Sequence, residues 1–469
     1  MSVVTSSLST DQEEKLLSLF GHVRLHLLYK ASIHGYKARG FHDRCNYQGP
    51  TVIAAYNKAG FVFGAYTSKD YSAIDCDVTD DKAFLYSITE RGRGALRIAS
   101  VDGEHGFKDG ETGPDFGALY FLDDDKPKVL SSPGIGFMFN PSQMHGDDLD
   151  LTEFEVYRVE ELGGLLAKPW RNVKWTAERK QQLMQTIQNY KPDIHSVSQA
   201  KVLLVGYVGF GKSSFFNSIN SIFRGNMTCQ AICGVAEKSV TNQFRTFNIK
   251  VGKGGKTLPL ILCDTMGLEQ TADAGLDMED IVNIYKGHIQ DRYQFNPASP
   301  LQLDAPGYKK HVTLKDVIHC VVYVVDTCSV SLFTEKVLER FATIRKKTNQ
   351  LGIPQLVLMT KVDKACPLVA KDLRNVYLSD YIHKKALELS ASLGIPLSCV
   401  LPVKNYSHEL ELDLNTDLLL LTAVDQMLNY TDSFFENQII DEKEGLVRII
   451  DPYNLSQPTF SNNNTRSIV

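Results

Sequence analysis

Apolar positions follow two different rhythms along the chain. Between about residues 20 and 160 they fall in short β-type runs broken by Gly, Asp and Asn. These runs are TVIAAYN (51–57), FVFGAYT (61–67), KAFLYSI (82–88), ALRIAS (95–100) and FGALYFL (116–122). Short strands between turn signals predict an antiparallel, β-rich domain. From about 198 to 435 the rhythm changes. Apolar strand-like runs (KVLLVG, FRTFNIKV, PLILCD, HCVVYVVD, PQLVLMT, PLSCVLPV) alternate with helical patterns such as KSSFFNSINSIF and SLFTEKVLERFATIRKK. That alternation predicts an α/β domain with a doubly wound, mainly parallel sheet.

The predicted boundaries follow from these rhythms. Residues 1–15, rich in Ser, Thr and acids, are expected to be a mobile start. A β-rich domain spans 16–162, and a connector with a helix spans 163–197. The α/β domain spans 198–438, and a polar, Asn- and Ser-rich tail covers 439–469. Trp170 and Trp175 in the connector are expected to pack between the two domains, since large aromatics mostly serve buried contacts.

Composition narrows the setting. The chain has 50 Lys plus Arg against 55 Asp plus Glu, a formal charge of −5, which gives no general attraction to DNA or to an anionic membrane. The longest apolar runs, such as Val321 to Val325, are too short to span a bilayer, so no transmembrane segment is expected. Nine cysteines without a framework fit free thiols in the reducing cytosol, and a cytoplasmic location is the expectation.

The chemistry is concentrated in the second block. Gly206-Tyr-Val-Gly209-Phe-Gly211-Lys212-Ser213 fits the phosphate-binding pattern G-x-x-x-x-G-K-[ST], placed after an apolar strand and before a helix. Its glycines let backbone N–H groups point at a phosphate, and the helix N-terminus adds positive potential. Lys212 is expected to neutralise β- and γ-phosphates and Ser213 to hold magnesium, with Ser214 completing the set. Asp264-Thr-Met-Gly267 follows a second apolar strand. Asp264 would bind magnesium, and the Gly267 N–H would meet a γ-phosphate. Thr360-Lys361-Val-Asp363 follows a third. The Asp363 carboxylate can accept from both donors on the edge of guanine, a pair that adenine does not offer. The Lys361 stem would lie over the base. Thr360 stands where Asn is usual, a departure expected to loosen the loop. A Thr whose hydroxyl meets magnesium is expected between the first two motifs. Thr228 and Thr241 compete for this role, and Thr241, just before the strand FRTFNIKV, is favoured. In the last loop, Pro402-Val-Lys-Asn405, Asn405 is the candidate for the guanine edge. The expected cofactors are therefore GTP or GDP with Mg.

Hydrolysis is less legible. The position after the Asp264–Gly267 motif, where Ras-like enzymes place a water-orienting Gln, holds Leu268, and Gln270 is two residues on. Binding is expected; hydrolysis is expected to be slow or partner-dependent.

The first block resembles a TLDc domain in residues 27–71, in DGETGPDFGALYFL (109–122) and in LDLTEFEVYRVEEL (149–162). Joined to LVGYVGFGKSSFFNSINS (204–221) and LPLILCDTMGLE (258–269), it is similar to the interferon-induced protein 44 family over roughly residues 15–435. The resemblance implies a P-loop GTPase-like second domain and a cytosolic, interferon-inducible protein of the antiviral and immune response. It also implies an unidentified protein partner for the TLDc-like domain. A homo-oligomer is a further expectation, since a second copy could complete the site. The rival reading is a non-catalytic adaptor in which the nucleotide is structural.

Overall fold

A computed structural model of the chain describes residues 4–89, 94–231, 243–268, 276–296 and 299–443, with the side chains of 124 and 440–443 left undescribed. The chain divides into two compact units, Met1–Gly164 and Leu165–Val469.

In the first unit the strands are β1 (Val23–Lys30), β2 (Thr51–Asn57), β3 (Phe61–Thr67), β4 (Cys76–Thr79), β5 (Phe84–Thr89), β6 (Ala95–Ala99), β7 (His105–Asp109), β8 (Leu119–Phe121), β9 (Val129–Ser131) and β10 (Leu151–Glu161). The main sheet runs β1-β10-β2-β3-β5-β6 and is antiparallel throughout. Side chains alternate along a strand, and here both faces are covered. Ile53, Ala55, Phe63, Phe154 and Val156 build one core, while Val52, Ala54, Val62, Tyr157 and Val159 build the other. This is why β2 and β3 read as nearly continuous apolar runs. Gly64 lets β3 approach β2 closely: a Cβ there would lie 1.9 Å from the Ile53 carbonyl oxygen.

β10 pairs with both β1 and β2 at the centre of this sheet, although its sequence is rich in glutamate. The Glu155 carboxylate is fully buried, accepts from the Tyr56 and Tyr157 hydroxyls and pairs with Lys30 at 3.0 Å. These partners hold it below the usual carboxylate range against the cost of burial. The start of the chain joins the same network. The Ser7 N–H donates to Glu155 at 2.9 Å, and Ser6 shares a hydrogen bond with the Tyr157 hydroxyl. Composition led to the expectation of a mobile start, yet Thr10–Leu17 is a helix. A Ser9–Gln12 capping box closes it, and Leu16 is buried in the second core.

In the second unit the strands are β11 (Ala200–Val205), β12 (Arg245–Lys250), β13 (Thr257–Asp264), β14 (Cys320–Asp326), β15 (Gln355–Thr360) and β16 (Val400–Pro402). They form one sheet in the order β12-β13-β11-β14-β15-β16. All pairs are parallel except β12–β13. β11 lies between β13 and β14, so the winding reverses beside it, and crevices at the carboxyl ends of strands form at such a switch point. The connector belongs to this unit. Trp170 stacks on His383 and meets Tyr377 edge-on, both residues of the second unit. Its helix, Ala177–Asn189, is held to the long helix Leu414–Lys443 by a Lys180–Asp417 ion pair of 2.6 Å and a Tyr190–Asp432 hydrogen bond. The helix continues through residues placed in the polar tail; residues 444–469 of that tail lie outside the described residues.

Candidate functional site

The loop after β11 is shaped by its glycines. Gly206 lies against β14, where a Cβ would come within 2.3 Å of the Val324 carbonyl oxygen. Gly209 and Gly211 take left-handed conformations with φ of 79° and 97°, and Gly211 is the N-cap of the helix Lys212–Arg224. A left-handed N-cap strongly favours glycine. The chain thus turns sharply from the strand into a helix whose first N–H groups have no intrahelical partners. The Lys212 ammonium folds back over the loop, donating to the carbonyls of Gly206 at 2.9 Å and Tyr207 at 3.3 Å. Burial holds it below the usual lysine range, and Asp264 acts in the opposite direction.

Asp264 ends β13, beside the loop. The Ser213 hydroxyl donates to its Oδ2 at 2.6 Å, while Oδ1 is buried with no partner among the described residues. Burial raises this carboxyl above the usual range, with Lys212 and Ser213 pulling the other way. An orphaned carboxylate oxygen beside a hydroxyl is a donor set suited to a hard cation. Among the described residues no cluster of three or more His, Cys, Asp or Glu could hold a metal by itself. A magnesium ion held here would therefore take its remaining oxygens from phosphate and water, its usual habit. The segment after Asp264 is zipped to the loop. The Leu268 N–H donates to the Gly206 carbonyl at 3.1 Å and the Val208 N–H donates to the Leu268 carbonyl at 3.3 Å. A Cβ on Gly267 would lie 2.6 Å from a Val208 methyl. The Leu268 side chain is buried.

The remaining loops arrive at the same edge of the sheet. Thr360, at the end of β15, donates to the Phe210 carbonyl at 2.7 Å and to Val325 O at 3.2 Å. The short Thr hydroxyl thus ties the end of β15 to the glycine loop. Lys361 takes a left-handed backbone, φ 57°, and its ammonium pairs with Asp326 at 2.6 Å. Asp363 opens the short helix Val362–Ala365, half-buried, with no hydrogen bond or ion pair to a described residue. Asn405 follows β16. Its amide donates to the Gly211 carbonyl at 3.1 Å, and its Oδ1 is buried without a partner among the described residues.

The structure thus brings Gly206, Gly209, Gly211, Lys212, Ser213, Ser214, Asp264, Gly267, Thr360 and Asn405 around one loop, with Lys361 and Asp363 beside it at the end of β15. Thr241 lies outside the described residues. Its competitor Thr228 is committed elsewhere, since Asn220 donates to its hydroxyl at 3.0 Å and its own N–H donates to Ser221 at 2.9 Å, both on the later turns of the helix. Two residues were not singled out from sequence. Asp326 pairs with Lys361, and Thr327 donates to the Thr360 carbonyl at 2.6 Å. The available signal was a carboxylate closing the apolar run VVYVVD.

Comparison with known proteins defines the class. Residues 2–160 match the family model of the TLDc domain. The chain is 34% identical to human interferon-induced protein 44-like over 462 residues, 96% of this chain and 99% of that protein. It is 33% identical to human interferon-induced protein 44 over 434 residues, 92% of this chain and 95% of that protein. The mouse interferon-induced protein 44 is 32% identical over 430 residues, 92% of this chain and 97% of the relative. This is a TLDc-containing protein with a second, mixed α/β unit. Within that class, it belongs to the interferon-induced protein 44 family.

Proposed function

We propose that the second unit is a P-loop GTPase-type domain, roughly residues 198–438, that binds GTP or GDP with magnesium. The observation that carries the reading is the pairing of Ser213 with Asp264 at 2.6 Å, with the second Asp264 oxygen unpartnered among the described residues, at the mouth of a glycine loop closed by Lys212. Asp264 and Ser213 would hold the cation, and the cation would supply charge neutralisation at the phosphates. Lys212 would neutralise phosphate, and the N–H groups of Gly209 to Ser214 would line it. Asp363, with no hydrogen bond to a described residue, would read guanine beside the Lys361 stem, and Asn405 would border that edge. Thr241 remains the candidate for the γ-phosphate-dependent contact to magnesium.

Calorimetric titration of the purified full chain with GTP, GDP and ATP, with magnesium and with EDTA, tests this. Guanine-selective, magnesium-dependent binding is expected. Equal affinity for ATP would reject the guanine reading, and no binding of any nucleotide would reject the site.

A second reading is favoured by one observation. Leu268 is buried where a water-orienting group would be needed, so the bound nucleotide would act as a slow switch or as a structural element of an adaptor. On either reading the TLDc domain would bind a protein partner, and a second copy could complete the site. The names of the relatives support interferon-inducible expression; a cytosolic role in innate antiviral defence is part of the reading proposed here. The check is the level and location of this protein in cells before and after interferon.

A further inference from the structure

The turn after β14 holds the turn after β15 at two points. Asp326 and Thr360 are neighbours across the β14–β15 ladder. The Thr327 hydroxyl donates to the Thr360 carbonyl at 2.6 Å. The Lys361 ammonium lies 2.6 Å from Asp326 Oδ2. Asp326 Oδ1 is also committed, accepting the Cys328 N–H at 2.9 Å. Asp326 is 7% exposed and the Lys361 side chain 32% exposed, so the carboxylate end of the ion pair is shielded while the lysine keeps contact with solvent, and the pair is only partly screened. Two carboxylates therefore stand at the ends of β14 and on the loop after β15 in different states. Asp326 has both oxygens engaged within the protein, while Asp363 has no hydrogen bond to a described residue.

A lysine stem is flexible, and laying it along one face of a flat ring costs rotamer freedom unless its end is already fixed. An ion pair at the ammonium fixes that end before any ligand arrives. The left-handed backbone at Lys361 aims the stem, and Thr360 anchors that backbone to the glycine loop. We propose that Asp326 is a positioning residue for the base subsite. It holds the Lys361 stem as a pre-set apolar wall for the purine face, so that nucleotide affinity depends on it through the base and not through the phosphates. This rests on the guanine-nucleotide reading of the same site.

The test compares wild type, Asp326→Asn and Asp326→Glu, each as the full chain with magnesium, titrated with GTP and separately with inorganic tripolyphosphate. Asn keeps an acceptor for the Cys328 N–H and removes the charge facing Lys361, so the turn is preserved. Asp326→Asn is expected to weaken GTP by about tenfold, as for loss of one hydrogen bond to a charged group, and to leave tripolyphosphate unchanged. Asp326→Glu is expected to recover part of the loss. Placed on Lys361→Met, which keeps a stem of similar length without the charge, Asp326→Asn is expected to add little, since the pair acts as one unit. Wild-type affinity for GTP in Asp326→Asn would overturn the proposal while leaving the nucleotide site standing. So would equal losses for GTP and tripolyphosphate, which would assign Asp326 to the fold. Failure of wild type itself to bind GTP would overturn both readings.

Discussion

The Thr360 hydroxyl donates to the Phe210 carbonyl at 2.7 Å, joining the end of β15 to the glycine loop across 150 residues of sequence. The same hydroxyl reaches Val325 O, so one buried side chain links three segments of the site. Thr360→Val keeps the shape and removes the one proton that the hydroxyl shares between the Phe210 and Val325 carbonyls, the shorter contact being that to Phe210. The expected cost is about 1–3 kcal/mol of stability, read by urea unfolding, together with weaker GTP binding. A variant as stable as wild type would show that the tether contributes nothing.

Asp264 is a carboxyl whose burial opposes its charge and whose second oxygen has no partner among the described residues. Asp264→Asn removes that charge and leaves an acceptor for Ser213. GTP affinity measured with magnesium is expected to fall roughly 10- to 100-fold, the scale of losing an interaction with a charged group, to the level measured in EDTA. Stability without nucleotide is expected to change little, because relief of the buried carboxylate is offset by loss of the charge that favours the buried Lys212 ammonium. Retention of a magnesium effect in the variant would move the cation site elsewhere.

The proposed guanine reading rests base selectivity on Asp363. Asp363→Asn replaces two acceptors by one acceptor and a donor, which mismatches guanine and suits xanthine. A loss of about 1–3 kcal/mol for GTP is expected, with a gain for xanthosine triphosphate. The check is a competition titration, and an unchanged preference for GTP would exclude the assignment.

His319 supplies a pH dependence independent of ligand. Its Nδ1 accepts the Lys201 N–H at 2.9 Å, and its Nε2 faces the Leu314 carbonyl at 2.9 Å, so the neutral ring is the form that fits. Burial lowers its pKa to about 4. Below the unfolded value of about 6.5 the unfolded chain takes up this proton while the folded chain does not. The stabilisation is therefore fully present above that value and is lost as pH falls toward 4. Between pH 7.5 and 5 the loss from this one group is about 2 kcal/mol. Urea unfolding at both pH values should show His319→Gln losing less than wild type by that amount. Identical losses would show that another group carries the dependence.

What the sequence revealed depended on how local each signal was. The glycine loop was legible because eight consecutive residues carry both its turn and its chemistry, and β11, β13, β14 and β15 because each is an apolar run. β10 was not singled out as a strand. Glu153, Glu155 and Glu160 interrupt its pattern, and Glu155 is tolerated only because Lys30 and Tyr56 come from other strands. Asp326 was missed for the same reason, since Lys361 stands 35 residues away. The contacts of Thr360 were not foreseen, because the two carbonyls it reaches lie on segments that no local pattern connects. Trp170 and Trp175 could be read as packing residues, but composition does not show which unit supplies Tyr377 and His383.

The remaining prediction concerns Leu268. Sequence alone suggests that Leu268→Gln could restore a water-orienting side chain and raise GTP hydrolysis. The structure argues against that outcome. Leu268 is 1% exposed, and its backbone is bonded in both directions to the glycine loop, at Gly206 and at Val208. A Gln placed there would direct its amide into the packed interior and not toward a nucleophile. Burying an amide without partners costs about 1–3 kcal/mol, and the amide would gain no access to water at the phosphate. The expected result is a destabilised protein whose single-turnover hydrolysis stays at the wild-type rate, on the order of 10⁻⁴ to 10⁻³ per second, as for unassisted small GTPases. Positioning of the nucleophile, which neither Lys212 nor a cation supplies, would have to come from elsewhere. Turnover in both proteins should therefore rise with protein concentration if a second copy provides it. A Leu268→Gln protein that is stable and at least tenfold faster than wild type would mean that this segment swings out of its packed position when GTP binds.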